Sequence, residues 1–262
     1  MTQHSTHLAD TTDWRLYYIT DTEYSGGLTA VPDVVVEAVK GGAGVVQVRD
    51  KTLSDEEFAE LTVACQHAVR NQLGQQRFEQ VRFFVNDRLD VARQLGCHLH
   101  LGQTDTPISE ARAVLGEEVM IGLSTSTPRQ VREAVDHQLA DVLGIGPFAV
   151  TPTKPDAATP LGLTGISQCV QATAGSKLKC VAIGGINTTN AADIYRRTGV
   201  DGICVVSAIA AQPAIPPRWL RSYSRRCTVN NCPSTTLHPP LLALESSRRS
   251  KTRKERKEGK DR

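Results

Sequence analysis

The sequence lacks any apolar run approaching the roughly 18 residues that a membrane helix requires. Its longest runs, around Val45 and Val205, fall far short, which excludes a transmembrane helix. Residues 1–13 are polar and hold no apolar h-region, so they do not read as a secretory signal. They predict a flexible N-terminus and a cytoplasmic protein. Seven cysteines (Cys65, Cys97, Cys169, Cys180, Cys204, Cys227 and Cys232) show none of the short paired spacing of zinc sites or disulfide frameworks. Reduced thiols filling core gaps are expected instead. No GxGxxG follows the first apolar segment, and Gly26-Gly27 and Gly41-Gly42 lack the required spacing, so the dinucleotide-binding fingerprint is missing.

What is present divides into two materials. Residues 213–262 carry 13 Lys/Arg against 4 Asp/Glu, a local +9 that leaves the preceding body at −7 in a chain of net +2. The tail is rich in proline and ends in the basic run 248–262, a composition that cannot bury enough apolar surface to offset its ordering entropy. Disorder is expected for it. Such a tail could bind a nucleic-acid backbone with steep salt dependence, but no aromatic residue interleaves the basic run to stack on bases. Nucleic acid is therefore not the expected partner.

From 14 to 212, apolar β-branched segments alternate with longer amphipathic ones, the pattern of a parallel sheet with helical crossovers. Strands are predicted at 16–20, 45–48, 82–85, 97–100, 120–123, 141–145, 179–183 and 202–206. Helices are predicted at 32–40, 54–72, 88–95, 109–115, 128–136, 165–173 and 188–197. Ser54 followed by Asp55, Glu56 and Glu57 supplies a cap and acidic residues for the orphan donors of a helix start. Eight strands in about 200 residues favour a closed (β/α)8 TIM barrel over an open doubly wound sheet.

Barrel active sites form at the C-terminal strand ends, and here almost every strand ends in polar residues. Gln47, Arg49 and Lys51 share one side by alternation, and a guanidinium beside an ammonium favours a phosphate-bearing ligand. The alternative is a cation pair neutralised by Asp50 and Asp55. Asn86 and Asp87 end the third strand, and Asp105 follows the fourth. Asp87 and Asp105 could share Mg²⁺, which takes one or two carboxylates plus phosphate oxygens and water. Alternatively each Asp is a helix cap. Ser124 ends the fifth strand, Thr151, Thr153 and Lys154 follow the sixth, Gly184 and Gly185 the seventh, and Val206 and Ser207 the eighth. Loops after strands seven and eight often build a barrel's phosphate site from backbone N–H groups, although a Gly-Gly pair alone is more often turn chemistry.

The stretches VVQVRDK (45–51), FVNDRLDVA (84–92), HLGQTD (100–105), IGLST (121–125), GIGPFAVTPTKPD (144–156), AIGGIN (182–187) and GVDGICVVSAI (199–209) occur in an order that resembles the thiamine-phosphate synthase family. That resemblance implies condensation of a pyrimidine diphosphate with a thiazole phosphate, giving thiamine phosphate and diphosphate. It assigns Gln47, Arg49, Lys51, Asn86, Ser124 and Lys154 to the pyrimidine diphosphate, and Asp87 and Asp105 to Mg²⁺. Thr151, Thr153, Gly185, Val206 and Ser207 would line the thiazole-phosphate site, and Arg49, Lys51, Ser124 and Lys154 would act in catalysis. Loop 151–161 is long enough for a lid. The chain departs from the family pattern in a shorter link between Ala92 and His100, where His98 replaces the usual Gly and could shift Asp105. His100 itself is expected to be structural. A related barrel family, the thiazole-phosphate tautomerases, is the alternative; it lacks the full diphosphate and metal set found here.

Overall fold

The computed structural model describes residues 7–151, 153 and 158–211. Eight parallel strands close into a barrel in sequence order: β1 Leu16–Ile19, β2 Val45–Val48, β3 Arg82–Asn86, β4 His98–Leu101, β5 Ile121–Thr125, β6 Val142–Ile145, β7 Lys179–Ala182 and β8 Gly202–Val205. Closure is made by β1 against β8, with Tyr17 opposite Cys204. The predicted (β/α)8 barrel is the fold observed. Tail 213–262, with Cys227 and Cys232, lies outside the described residues.

Helices α2 Val31–Lys40, α3 Asp55–Leu73, α5 Leu89–Leu95, α6 Ile108–Leu115, α7 Pro128–His137, α8 Gly162–Gln171 and α9 Ala191–Thr198 match the expected crossovers. Their ends follow local chemistry. Ser54 and Glu57 form a reciprocal capping box at α3, and the Thr127 side chain caps α7 ahead of Pro128. Helix α9 starts three residues later than the sequence suggests. Asn187 Oδ1 accepts from both the backbone and the hydroxyl of Thr189, and Asn190 Oδ1 accepts from Asn187 N, which folds 187–190 into a turn instead. Among the described residues, three short α-helices, α1 Leu8–Thr11, α4 Gln75–Glu79 and α10 Ser207–Ala210, and a 3-10 turn at Leu28–Ala30 were not anticipated.

Strand alternation sorts the core into two shells. Inside the barrel, Trp14, Tyr17, Val45, Phe84, Met120, Val142, Val181 and Cys204 pack together. Between barrel and helices, Tyr18, Val46, Val85, Leu99, Leu143 and Ile203 meet Val35, Phe58, Ile166 and Ile194. The five described cysteines are buried and free. Burial pushes the Cys65 and Cys180 thiols up to about 12 and Cys97 to about 11, so they stay protonated.

The flexible N-terminus expected from composition is corrected for residues 7–13, which close the floor of the barrel. Ala9 is buried and its carbonyl accepts from Trp14 Nε1 at 2.8 Å. Asp10 reaches Lys179 Nζ at 2.8 Å, and His7 Nε2 lies 3.2 Å from Asp141. A polar segment thus becomes ordered because its few apolar side chains meet the open end of the interior shell. The chain passes so close that a Cβ on Gly202 would stand 1.7 Å from the Trp14 carbonyl oxygen.

Candidate active site

Above the apolar interior layer the inward side chains turn polar. Gln47 follows Val45 on the inner row and is buried, its amide donating to Tyr17 Oη at 2.8 Å. Burial pushes the Tyr17 phenol up, so it remains a neutral partner. Asn86 follows Phe84 on β3. It is also buried, and its Nδ2 has no hydrogen-bond partner among the described residues. A buried amide without a partner costs about 1–3 kcal/mol and marks a place where a ligand group fits.

Arg49 continues the row past the end of β2 and is half-buried. Thr20 fixes its backbone, since Arg49 N donates to the Thr20 hydroxyl at 2.9 Å. Neither acid proposed to neutralise this cluster does so. Asp50 is the hub of the β2–α3 loop, accepting from Thr22 Oγ1 at 2.5 Å, from Thr52 N and Oγ1 at 2.8 Å each, and from Leu53 N at 3.1 Å. Burial works against its charged form, but these donors outweigh it and hold the carboxyl below its ordinary value. Asp55 is paired with Arg88. The neutralisation alternative therefore fails for Arg49, whose guanidinium has no carboxylate partner among the described residues.

Lys51 instead pairs with Asp87 Oδ2. Asp87 holds the left-handed conformation at φ 54°, stabilised by donation from its N–H to His100 O at 2.9 Å. Backbone strain of this kind in a non-glycine residue costs on the order of 1–3 kcal/mol and collects at functional sites. The helix-cap alternative is corrected for Asp87: α5 begins after Arg88 with no side-chain cap. Asp105 Oδ2 accepts from Gly102 N at 2.6 Å, folding the β4–α6 loop back on itself. Each carboxylate thus has one oxygen engaged by the protein and one with no protein donor among the described residues.

The His98 substitution leaves β4 in register, with Asn86 opposite His100. The His98 ring packs 5.0 Å from Phe84 and its Nδ1 accepts from Met120 N at 3.1 Å. Burial lowers its pKa to about 4, with Arg82 adding to the effect. His100 sits one layer higher, with Nε2 3.0 Å from Ser124 Oγ. Glycines opposite make room for it: a Cβ on Gly122 would lie 2.4 Å from its Nδ1. Gln103 also reaches across to Ser124, donating to its carbonyl at 2.6 Å. The sequence reading missed this support of Ser124 by His100 and Gln103, because pairing between β4 and β5 sets it.

On the opposite rim, Phe148 N donates to Ile183 O at 2.7 Å and Ala149 N to Gly184 O at 3.1 Å, joining the β6–α8 loop to the loop after β7. Gly184 and Gly185 both have positive φ. A Cβ on Gly185 would also meet the Ala149 Cβ at 2.9 Å, so glycine is required by fit as well as by conformation. Thr151 and Thr153 hydroxyls share a hydrogen bond of 2.8 Å on this loop. Val150 beside them is 84% exposed, a bare apolar side chain that polar-residue reading could not single out. Val206 precedes α10, and Ser207 is its first residue. Lys154, within the proposed lid, lies outside the described residues.

An eight-stranded barrel whose polar side chains gather on the C-terminal strand ends defines the enzyme class of (β/α)8 proteins that act at that face. Residues 16–209 match the TMP-TENI family model, described as thiamine monophosphate synthase, and the chain belongs to that family. It is 40% identical over 205 residues to thiamine-phosphate synthase of Chloroflexus aurantiacus, spanning 78% of this chain and 88% of that protein. It is 41% identical over 209 residues to the thiamine biosynthesis multifunctional protein ThiED of Corynebacterium efficiens, covering 78% of this chain but only 27% of that longer protein. Among solved structures, thiamine phosphate pyrophosphorylase from Pyrococcus furiosus superposes with TM-score 0.68 at 32% identity, over 83% of this chain and 98% of its own. No helix among the described residues is long and apolar enough to cross a membrane.

Proposed function

We propose that this chain is a cytoplasmic transferase of thiamine biosynthesis. It would condense 4-amino-2-methyl-5-(diphosphooxymethyl)pyrimidine with 4-methyl-5-(2-phosphooxyethyl)thiazole, releasing thiamine phosphate and diphosphate. The reading rests chiefly on one juxtaposition: the Asn86 amide without a partner, next in the chain to the strained Asp87, with Lys51 paired to it. Family membership supports the same chemistry.

Asp87 and Asp105, each with one oxygen clear of protein donors, fit a hard divalent cation such as Mg²⁺. Bound there, it would supply charge neutralisation for a diphosphate leaving group. Arg49 is poised for the same diphosphate, and Lys51 would move from the Asp87 carboxylate to a phosphate oxygen once substrate arrives. Lys154 would add a third cation. Charge builds on the leaving oxygens as the C–O bond breaks, so these groups stabilise the transition state more than the ground state. Gln47, Asn86 and Ser124 would orient the pyrimidine, with His100 and Gln103 fixing Ser124. The incoming nucleophile is the thiazole nitrogen, so no side chain needs to form a covalent bond. Thr151, Thr153, Gly185, Val206 and Ser207 would hold the thiazole phosphate, the glycine allowing its oxygens close to backbone N–H groups.

The direct test is incubation of the full chain with both substrates and Mg²⁺, followed by detection of thiamine phosphate. Product should appear, disappear with excess chelator and return on adding Mg²⁺. Folded protein that makes no thiamine phosphate would overturn the proposal.

A further inference from the structure

Arg88 is used by no step described so far, yet it is fastened more heavily than any described residue of the proposed diphosphate site. Its Nη2 donates to two carbonyls of the β2–α3 loop, Leu53 O at 2.7 Å and Asp50 O at 3.3 Å. Its Nη1 pairs with Asp55 in the first turn of α3. Its guanidinium lies 4.9 Å from the ring centroid of Phe58, a fully buried residue of the same helix. The backbone of Arg88 meanwhile follows directly on Asp87. One planar side chain therefore bridges the loop that carries Arg49 and Lys51 to the strained strand end that carries Asp87.

The loop is organised by two side chains. Asp50 takes the N–H groups of Thr52 and Leu53 and the Thr52 hydroxyl, while Arg88 serves the carbonyls of Asp50 and Leu53. Only a guanidinium can fork between two carbonyls and a carboxylate while stacking on an aromatic face; a lysine ammonium is a compact point charge without that geometry. The side chain is also well shielded, at 17% exposure, so solvent competes weakly for these bonds.

We propose that Arg88 is a positioning residue for diphosphate recognition: it contacts no substrate, and it sets the separation between Lys51 and Asp87 by clamping the β2–α3 loop to the end of β3. The inference rests on the synthase reading for the identity of the ligand, while its mechanical part rests on the bonds above. A misplacement on the order of 1 Å in such a site costs about a hundredfold in rate, so a partial loss of the clamp should be readily measured.

The test uses the full chain with Arg88→Lys and Arg88→Gln, and reads steady-state kinetics together with calorimetric binding of inorganic diphosphate in the presence of Mg²⁺. Both variants should bind diphosphate at least about tenfold more weakly and lose kcat by a similar factor, with KM for the thiazole phosphate unchanged. Wild-type diphosphate affinity in Arg88→Lys would overturn the proposal. So would a parallel loss in both substrates that tracks a fall in Tm, since that describes a structural residue only. Should the Arg88 variants fail to fold, Asp55→Asn keeps the guanidinium and removes one anchor; several-fold weaker diphosphate binding then supports the clamp and unchanged binding overturns it. Absence of turnover in the wild type would sink the synthase reading alone, because the effect of Arg88 on diphosphate affinity is read independently.

Discussion

The two ends of the barrel hold charge in opposite ways. At the floor, Asp141 accepts from Arg112 Nη2 at 2.8 Å and Ile121 N at 2.7 Å, and Arg112 donates to the carbonyls of Gly116, Val119 and Leu139. Both are buried, and both are fully engaged by the protein. At the mouth, Arg49 has no carboxylate partner among the described residues, Asn86 keeps an unused donor, and Asp87 bears a strained backbone. A charged group whose partners are all internal serves the fold. One whose geometry is fixed while its bonding remains incomplete is prepared for a ligand, at some cost in stability.

The largest effect that could break this contrast is expected at the floor. Arg112→Met leaves the Asp141 carboxylate buried without its main donor and should lower unfolding free energy by about 3–5 kcal/mol, read by urea denaturation. Catalysis per folded molecule should hardly change; a variant that kept its stability would erase the distinction between the two ends. At the mouth, Arg49→Ala should do the converse, removing on the order of 2–4 kcal/mol of transition-state stabilisation from kcat with little change in Tm. Its KM for thiazole phosphate should stay near the wild-type value, and an equal weakening of both substrates would count against assigning Arg49 to the diphosphate.

His98 lies between these ends and sharpens the comparison through pH. Its folded-state pKa of about 4 is below the ordinary 6.5, so the neutral form is the one folding prefers. The resulting stability is complete above about pH 6.5 and is lost as pH falls toward about 4, a total of about 3 kcal/mol. His98→Asn should flatten that part of the unfolding profile, and an identical slope in variant and wild type would show that His98 is not its source. A smaller effect is expected for Gly122→Ala, where the new methyl must displace His100. A loss of about 1–3 kcal/mol should accompany reduced activity through Ser124, and calorimetry that finds no destabilisation would mean the ring relaxes freely.

Several parts of this molecule were legible because they depend on neighbours in the chain. Short apolar, β-branched runs located all eight strands, and Ser54 with Glu57 marked the start of α3. Gln47, Arg49, Asp87 and Ser124 could be singled out as candidates because polar residues ending apolar strands stand out against them. The contacts of Arg88, His100 and Gln103 were not legible, since their partners are 20 or more residues away or belong to backbone groups that no side-chain pattern records. The N-terminal segment misled for the same reason: its polarity is local, whereas the apolar surface that orders it comes from strands much later in the chain.

By itself the sequence determined the kind of barrel and the inventory of its mouth, because strand alternation and strand-end polarity are set by residue type and spacing alone. Tertiary structure alone decided which of those groups are spent and which stay open. Closing eight strands in order brought Lys51 to Asp87, Arg88 to the β2–α3 loop and His100 beneath Ser124. Hydrogen bonds and ion pairs act over a few ångströms, and only the closed barrel sets which residues come that near.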